Sequence, residues 1–221
     1  MTIERDGPPR RRPQFDDEFR VALAELFIWR RDVRRFRREP LEEGALDRLI
    51  ALACLAPSVG LSQPWRFVVV DAPQRRQAIV ENFLRSNHAA AASYASDAAS
   101  AYAALKLEGL REAPTHLAVF ADETTPQGRG LGRQTMPETL RYSVIAAICN
   151  LWLAARAEGI GMGWISILDP GEVVATLETP AHWTLIGYFC LGYPAEEDDA
   201  PELERERWEF RQAPETFIIR R

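Results

Sequence analysis

The spacing of apolar and polar residues along the chain predicts five helices. Asp16 and Asp17 offer carboxylates that can cap the first helix, in which Phe19, Leu23 and Phe27 recur at helical spacing. The predicted helical segments are 17–30, 41–56, 73–111 as two helices, and 137–158, which Gly159 ends.

Four short runs rich in β-branched and aromatic residues predict strands. These runs lie at 65–71, 115–121, 163–168 and 182–191. Because they alternate with helical segments, the fold class is α/β or α+β. No low-complexity linker divides the 221 residues, so we predict a single domain, residues 15–221, preceded by a polar arm, residues 1–14.

The helical segment 143–155 (SVIAAICNLWLAA) is apolar almost all the way round. Such a helix must be covered on every side, and a second subunit often supplies the missing cover, so we predict a homodimer. The chain ends near an apolar tip, residues 216–219 (TFII), which we interpret as extended. This tip either adds a strand across the dimer or lies on its own core, and we favour the second interpretation.

Composition and charge exclude several classes of function. A formal net charge of -5 argues against a nucleic-acid binder. No apolar run reaches the roughly 18 residues of a membrane span and the first residues lack an apolar leader, so we predict a cytoplasmic protein. Cys54, Cys149 and Cys190 are interpreted as buried small hydrophobes, and the three histidines share no ligand spacing, so no metal site is predicted.

Six arginines fall within residues 30–38, interrupted by one acid, Asp32. The planar guanidinium group pairs with phosphate oxygens through two parallel hydrogen bonds. A local arginine cluster on an acidic chain therefore indicates a site for a small, multiply charged anion. The alternative is a solvated arginine stripe that binds nothing.

Two further segments have the composition of a ligand site. Residues 56–65 (APSVGLSQPW) offer backbone donors, hydroxyls and an amide at the start of a strand, which suits the edge of a planar heteroaromatic ring. Residues 159–167 (GIGMGWISI) contain three glycines that allow close approach to a flat ligand, followed by Ser166. Each segment is also compatible with an ordinary turn. The G-x-G-x-G run at 128–132 lacks the spacing of a dinucleotide fingerprint, and we interpret it as a flexible loop.

Together, RRDVR at 30–34, APSVGLSQPW at 56–65 and NLWLAARAEGIGMGWISI at 150–167 are similar to the motifs of the flavin-binding nitroreductase superfamily. The resemblance spans about residues 30–208, including KLEG at 106–109 and PEL at 201–203. Most nitroreductases carry a small residue at the position of Asp32. Because it has an aspartate there, the chain resembles the branch of the superfamily that consumes reduced FMN. The resemblance implies an α+β, three-layer, homodimeric fold with a central, mostly antiparallel sheet flanked by helices.

The resemblance also implies a set of FMN-binding residues. Arg30, Arg31 and Arg34 would hold the phosphate and the ribityl chain, while Ser58 and Gly60 would line the isoalloxazine. The other implied FMN contacts are Asp32, Val33, Cys54, Leu107, Glu138, Ser166 and Arg211. Of these, Leu107 and Glu138 match positions near the flavin or the partner subunit, and Cys54 stands where a polar residue is expected.

Asp32 and Ser166 match the two catalytic positions of that branch. Reduced FMN would be the substrate and O2 the co-substrate, giving a benzimidazole base and a four-carbon sugar phosphate, with a separate NAD(P)H flavin reductase supplying the reduced FMN. Asp32 would act as base at the ribityl carbons, with flanking arginines favouring its ionised form, or would only orient Arg31 or Arg34. Ser166 would hydrogen-bond the flavin or pass a proton, or would only bond backbone.

Two other functions stay open. One is an NAD(P)H-dependent nitroreductase or flavin oxidoreductase that recycles FMN. The other is a flavin-binding protein without catalytic activity. Only the function implied by the closest resemblance predicts net loss of flavin.

Overall fold

A four-stranded antiparallel sheet forms the centre of the fold. The structure is a computed structural model that describes residues 12–221, apart from the side chains of residues 96 and 97, so most of the predicted arm lies outside the described residues. The strands, in the spatial order β1-β2-β4-β3, are β1 (Trp65–Val69), β2 (Thr115–Asp122), β3 (Gly161–Ile165) and β4 (Trp183–Gly192). All four predicted strands are confirmed, although β3 begins two residues and ends three residues earlier than expected.

Helices cover both faces of this sheet. They are α1 (Asp17–Trp29), α2 (Ala45–Ala53), α3 (Pro73–Ala91), α4 (Ser96–Ala104), α5 (Thr139–Ala157), α6 (Pro170–Leu177) and α7 (Glu202–Arg205). The five predicted helices are confirmed, and the Asp16 carboxylate accepts the Phe19 N–H at 2.9 Å as the expected cap. Helix α6, which starts at Pro170 and is capped by Asp169 through the Glu172 N–H, was not predicted.

Alternation along the strands divides the interior into two cores. Leu117 and Val119 of β2 pack with α2 and α5, whereas Ala118 and Phe120 pack with α3 and α6. Successive side chains of a strand point to opposite faces, so the sheet is buried on both sides. This arrangement confirms the α+β, three-layer fold.

The arginine-rich segment after α1 extends this sheet at its β3 edge. Asp32 pairs in parallel with Met162 of β3, and the Val33 N–H donates to the Met162 carbonyl at 3.1 Å. Asp32 and Val33 of the RRDVR motif are thereby fixed in register with β3.

The glycines of β3 make this pairing possible. A Cβ atom on Gly163 would lie 2.1 Å from the Val33 carbonyl oxygen, and one on Gly161 would lie 2.8 Å from a Val33 methyl group. The expectation that these glycines admit a flat ligand is therefore wrong, because the space is filled by Val33. Gly159 instead ends α5 with φ +70°, and a Cβ atom added there would meet no other atom within 4 Å.

Several apolar surfaces of the single chain face solvent. The helix α1 has no buried residue, and Tyr142 on α5 is 58% exposed. Cys149, also on α5, is exposed and Cys54 is half-buried, so the prediction that all three cysteines are buried holds for Cys190 and is wrong for the other two.

The C-terminal tip differs from the prediction in two ways. Residues Pro214–Phe217 form a 3₁₀ turn, so the first half of TFII is not extended. Phe217, Ile218 and Ile219 are 70%, 58% and 72% exposed, so the tip does not lie on its own core.

Two findings concern membrane-spanning helices and metal sites. Among residues 12–221, no helix combines the length and apolar content needed to cross a membrane. Within the same described range, no group of three histidine, cysteine or acidic side chains is arranged to hold a metal ion.

Candidate active site

Asp32 is held by two hydrogen bonds from different elements. Its Oδ1 accepts the Trp164 backbone N–H at 2.8 Å, and its Oδ2 accepts the Arg34 Nε–H at 3.0 Å. The first bond follows from the pairing of this segment with β3. The carboxylate therefore has a fixed position and orientation before any ligand binds.

The pKa of Asp32 is raised above its ordinary value. Burial is the largest cause, and it outweighs the Trp164 N–H and the charges of Arg34 and Arg30, which lower the pKa. Although 32% of the side-chain surface is exposed, protein atoms surround the carboxyl closely enough to penalise its charge. The arginines favour the ionised form as expected, but burial, which the sequence does not reveal, sets the net direction of the pKa. A raised carboxyl pKa suits a group that exchanges protons.

Arg34 connects Asp32 to the segment that follows α4. Its Nη1 donates to the Lys106 carbonyl at 2.8 Å while its Nε donates to Asp32. Leu107, the next residue, packs against the second core together with Val33. Arg34, Val33 and Leu107 of the predicted FMN set are thus brought to one place with Asp32.

Arg31 is the arginine best suited to receive an anion. Its Nε is buried and makes no hydrogen bond within the described part of the chain. Burial lowers its pKa, as do the charges of Arg211 and Arg30, while Asp199 and Glu204 act in the opposite direction. Arg211, whose backbone N–H donates to Glu204 at 2.9 Å, therefore lies near the cluster. A bound phosphate would satisfy the Nε and relieve the mutual repulsion of these arginines.

A small cleft, with a cavity volume of about 50 Å³, adjoins this cluster. Arg31, Asp32 and Arg34 line it together with Trp152 and four acidic residues, Glu196, Glu197, Asp198 and Glu202. The acidic wall is partly neutralised, because Glu202 pairs with Arg35 at 2.7 Å.

Ser166 lies just beyond the end of β3 and is exposed. It follows Trp164, whose backbone N–H donates to Asp32, by two residues along the chain. Its Oγ makes no hydrogen bond to any residue of the described range. This argues against the alternative that Ser166 only hydrogen-bonds backbone groups.

The structure does not bring three other predicted site residues to the arginines. These residues form a second group, Ser58, Gly60 and Glu138. Val59, between Ser58 and Gly60, donates its N–H to Ser143 Oγ near the start of α5 at 3.0 Å, and Glu138 directly precedes α5. Trp152, beside the arginines, follows Ser143 by nine residues, or roughly 13 Å of helix. The predicted site is therefore split between the two ends of α5.

The second group packs on the glycine-rich run predicted to be a flexible loop. A Cβ on Gly128 would lie 2.7 Å from the Gly60 carbonyl oxygen, and Gln127 donates its side-chain N–H to the Leu61 carbonyl at 3.0 Å. Gly60 is thus in close contact with residues 127–131. Cys54 caps α2 and packs against the first core, where burial raises the pKa of its thiol.

Three groups that shape the site were not predicted from the sequence. Trp152 and Trp164 were interpreted as parts of a helix and a strand, and the Lys106 carbonyl is a backbone atom with no signal in the sequence. The one sequence signal for Trp152 is that a tryptophan stands within a run of leucine and alanine, LWLAA at 151–155.

Two known proteins are similar in sequence to this chain over nearly its whole length. A 5,6-dimethylbenzimidazole synthase of Rhodospirillum rubrum is 58% identical over 199 residues, which cover 90% of this chain and 94% of that protein. A 5,6-dimethylbenzimidazole synthase of Rhodobacter capsulatus is 46% identical over 195 residues, covering 88% of this chain and 94% of that protein.

A solved structure and a family model agree with these relatives. The crystal structure of oxidized iodotyrosine deiodinase bound to FMN and 3-iodo-L-tyrosine superposes with a TM-score of 0.67 at 27% identity, covering 80% of this chain and 91% of that chain. The model of the nitroreductase family matches residues 28–193. The chain belongs to the nitroreductase family.

Proposed function

We propose that the chain is a 5,6-dimethylbenzimidazole synthase, which converts reduced FMN and O2 into 5,6-dimethylbenzimidazole, erythrose 4-phosphate and an oxidised fragment that carries the remaining four carbons and two nitrogens of the pyrimidine ring. The observation that carries this proposal is the position of Asp32, a carboxyl of raised pKa fixed beside an arginine cluster. Two relatives named for this activity are 58% and 46% identical to the chain. A separate NAD(P)H flavin reductase would supply the reduced FMN.

The described residues fit the phosphate end of FMN. Arg31 offers a buried Nε without a partner among residues 12–221, and Arg30 and Arg211 add positive charge beside it. Such guanidinium groups anchor a phosphate and fix its orientation. When bound, FMN supplies the ring that reacts with O2 and the ribityl chain that is cleaved.

The residues around the phosphate site would move protons at the ribityl chain. In its ionised form Asp32 accepts a proton from a ribityl carbon, while Arg34 and the Trp164 N–H keep the carboxylate in place. Ser166 Oγ, exposed at the end of β3, donates a hydrogen bond to the flavin or passes a proton.

The proposal includes a homodimer that completes the site. Ser58, Gly60 and Glu138 lie at one end of α5 and the arginines lie at the other, so one chain alone leaves the two groups apart. A partner packed on the exposed faces of α1 and α5 would bring its own Ser58 group toward the arginines. The same contact would cover apolar side chains that the single chain exposes.

The dimer is tested by measuring mass in solution. Light scattering coupled to gel filtration should give twice the chain mass of 25.0 kDa. Replacing the exposed Phe27 of α1 by glutamate should shift the protein toward single chains, since a charge at an apolar interface is costly to bury. A parent protein that runs as one chain at micromolar concentration would refute the dimer.

The function is tested by following the fate of the flavin. The protein is incubated in air with FMN, NADPH and a separate flavin reductase, and the products are separated by chromatography. We expect 5,6-dimethylbenzimidazole to form as FMN disappears. Steady NADPH oxidation by the protein alone with FMN intact would instead identify a flavin-recycling reductase, and FMN binding without either reaction would identify a non-catalytic binder.

A further inference from the structure

Trp152 contacts the arginine pair at two points. Its indole N–H donates to the Arg31 carbonyl at 3.1 Å, and the guanidinium carbon of Arg30 lies 5.0 Å from the centre of its ring. One side chain therefore fixes the backbone of one arginine and the head group of the other.

Trp152 is itself held by aromatic packing. Its ring centre lies 6.4 Å from that of Phe189 in an edge-to-face arrangement, and 6.3 Å from that of Trp164. Trp164 is the residue whose backbone N–H donates to Asp32. The same aromatic group thus lies between the arginines and the backbone that holds the carboxylate.

The stacking of Arg30 on an aromatic face has a specific benefit for anion binding. The ring attracts the cation from one side of its plane, while the N–H donors at its edge remain directed outward. A guanidinium restrained in this way loses less conformational entropy when it binds a phosphate.

We propose that Trp152 is a positioning residue for the arginine pair, holding Arg30 and the Arg31 backbone in the geometry that receives the ligand phosphate. Trp152 acts through these two arginines and supplies no proton. The identity of the ligand as FMN rests on the proposed function.

The two contacts can be removed in steps in the full-length protein. Trp152→Phe keeps an aromatic face beneath Arg30 but removes the indole N–H, whereas Trp152→Leu removes both contacts. Trp183→Leu is the matched control, because the Arg66 guanidinium lies 5.8 Å from the Trp183 ring outside the arginine cluster. The FMN dissociation constant of each variant is measured by flavin fluorescence, and folding is checked by circular dichroism and denaturant unfolding.

We expect a graded loss of FMN affinity. Loss of one hydrogen bond should weaken binding about 2- to 10-fold in Trp152→Phe. Loss of the stacked face as well should weaken it at least about 20-fold in Trp152→Leu. Trp183→Leu should bind FMN as the parent does. In turnover assays, the KM for reduced FMN should rise with kcat changed less than about 3-fold, since Asp32 stays in place.

Two outcomes would overturn the proposal. One is a Trp152→Leu protein that is folded and binds FMN within about 2-fold of the parent. The other is an equal loss of affinity in Trp152→Leu and Trp183→Leu, which would reveal a general packing defect. A parent protein that binds FMN but forms no benzimidazole would refute the proposed function alone, because the dissociation constant tests Trp152 without turnover.

Discussion

Replacing Asp32 by asparagine should abolish benzimidazole formation while FMN stays bound. The amide has nearly the shape of the carboxylate, and its oxygen still accepts the Trp164 N–H. Its NH2 group loses the bond from the Arg34 Nε–H, but Arg30 and Arg31 keep their charges, and the amide cannot take up a proton from a ribityl carbon. Loss of a positioned base typically lowers a rate by about 10²- to 10⁴-fold. Product yield at saturating reduced FMN and the FMN dissociation constant should be measured on the same preparation.

Asp122→Asn is the matched control. Asp122 is also a partly buried carboxylate paired with an arginine, Arg66, at 2.6 Å, but it lies at the end of β2 away from the cluster. This variant should form product at the parent rate. Parental turnover in Asp32→Asn would show that Asp32 only organises the arginines.

The pH profile gives an independent view of the same group. The base must be ionised, and burial raises the pKa of Asp32, so protonation persists to a higher pH than for a free aspartate. Turnover of the parent should therefore rise with pH through this raised pKa and fall on acidification. The residual turnover of Asp32→Asn should lack this step.

Replacing Gly163 by alanine should both destabilise the fold and impair FMN binding. The new Cβ would lie 2.1 Å from the Val33 carbonyl oxygen, a backbone atom that cannot rotate away. Either β3 or the segment carrying Arg31, Asp32 and Arg34 must move. We expect a loss of about 2–4 kcal/mol in the free energy of unfolding, measured in denaturant, and weaker FMN binding by fluorescence.

Gly159→Ala separates the clash from the general cost of losing a glycine. Its φ of +70° costs alanine about 1–2 kcal/mol, yet the added Cβ meets no atom within 4 Å. This variant should lose some stability and keep the FMN affinity of the parent. If Gly163→Ala behaves no differently from Gly159→Ala, the tight pairing with Val33 does not position the arginines.

Much of the fold could be predicted because its elements carry strong local signals. The β-branched run at 65–71 and the capped amphipathic start of α1 appear where the sequence predicts them. The helix α6 was missed because its eight residues fall within a connection between two predicted strands. The start of β3 was missed because Gly161 has the local character of a turn, and only its contact with Val33 explains its presence in a strand.

The candidate site was less accessible from the sequence. Its motifs were recognised through resemblance, and the residue spacing alone left anion binding and a solvated stripe as alternatives. The net pKa direction of Asp32 depends on how closely other segments surround it, which no local pattern encodes. The separation of Ser58 from Arg31 likewise follows from the direction of α5, to whose two ends the two groups attach.

The carbonyl that holds Arg34 belongs to Lys106, the single lysine among 221 residues. An acylating reagent directed at lysine side chains thus has one such target, in the residue whose carbonyl accepts from Arg34. Its ammonium pairs with Glu112 at 3.2 Å, and acylation would cancel that charge. A dye attached there would report on the surroundings of Arg34 without any engineered attachment point.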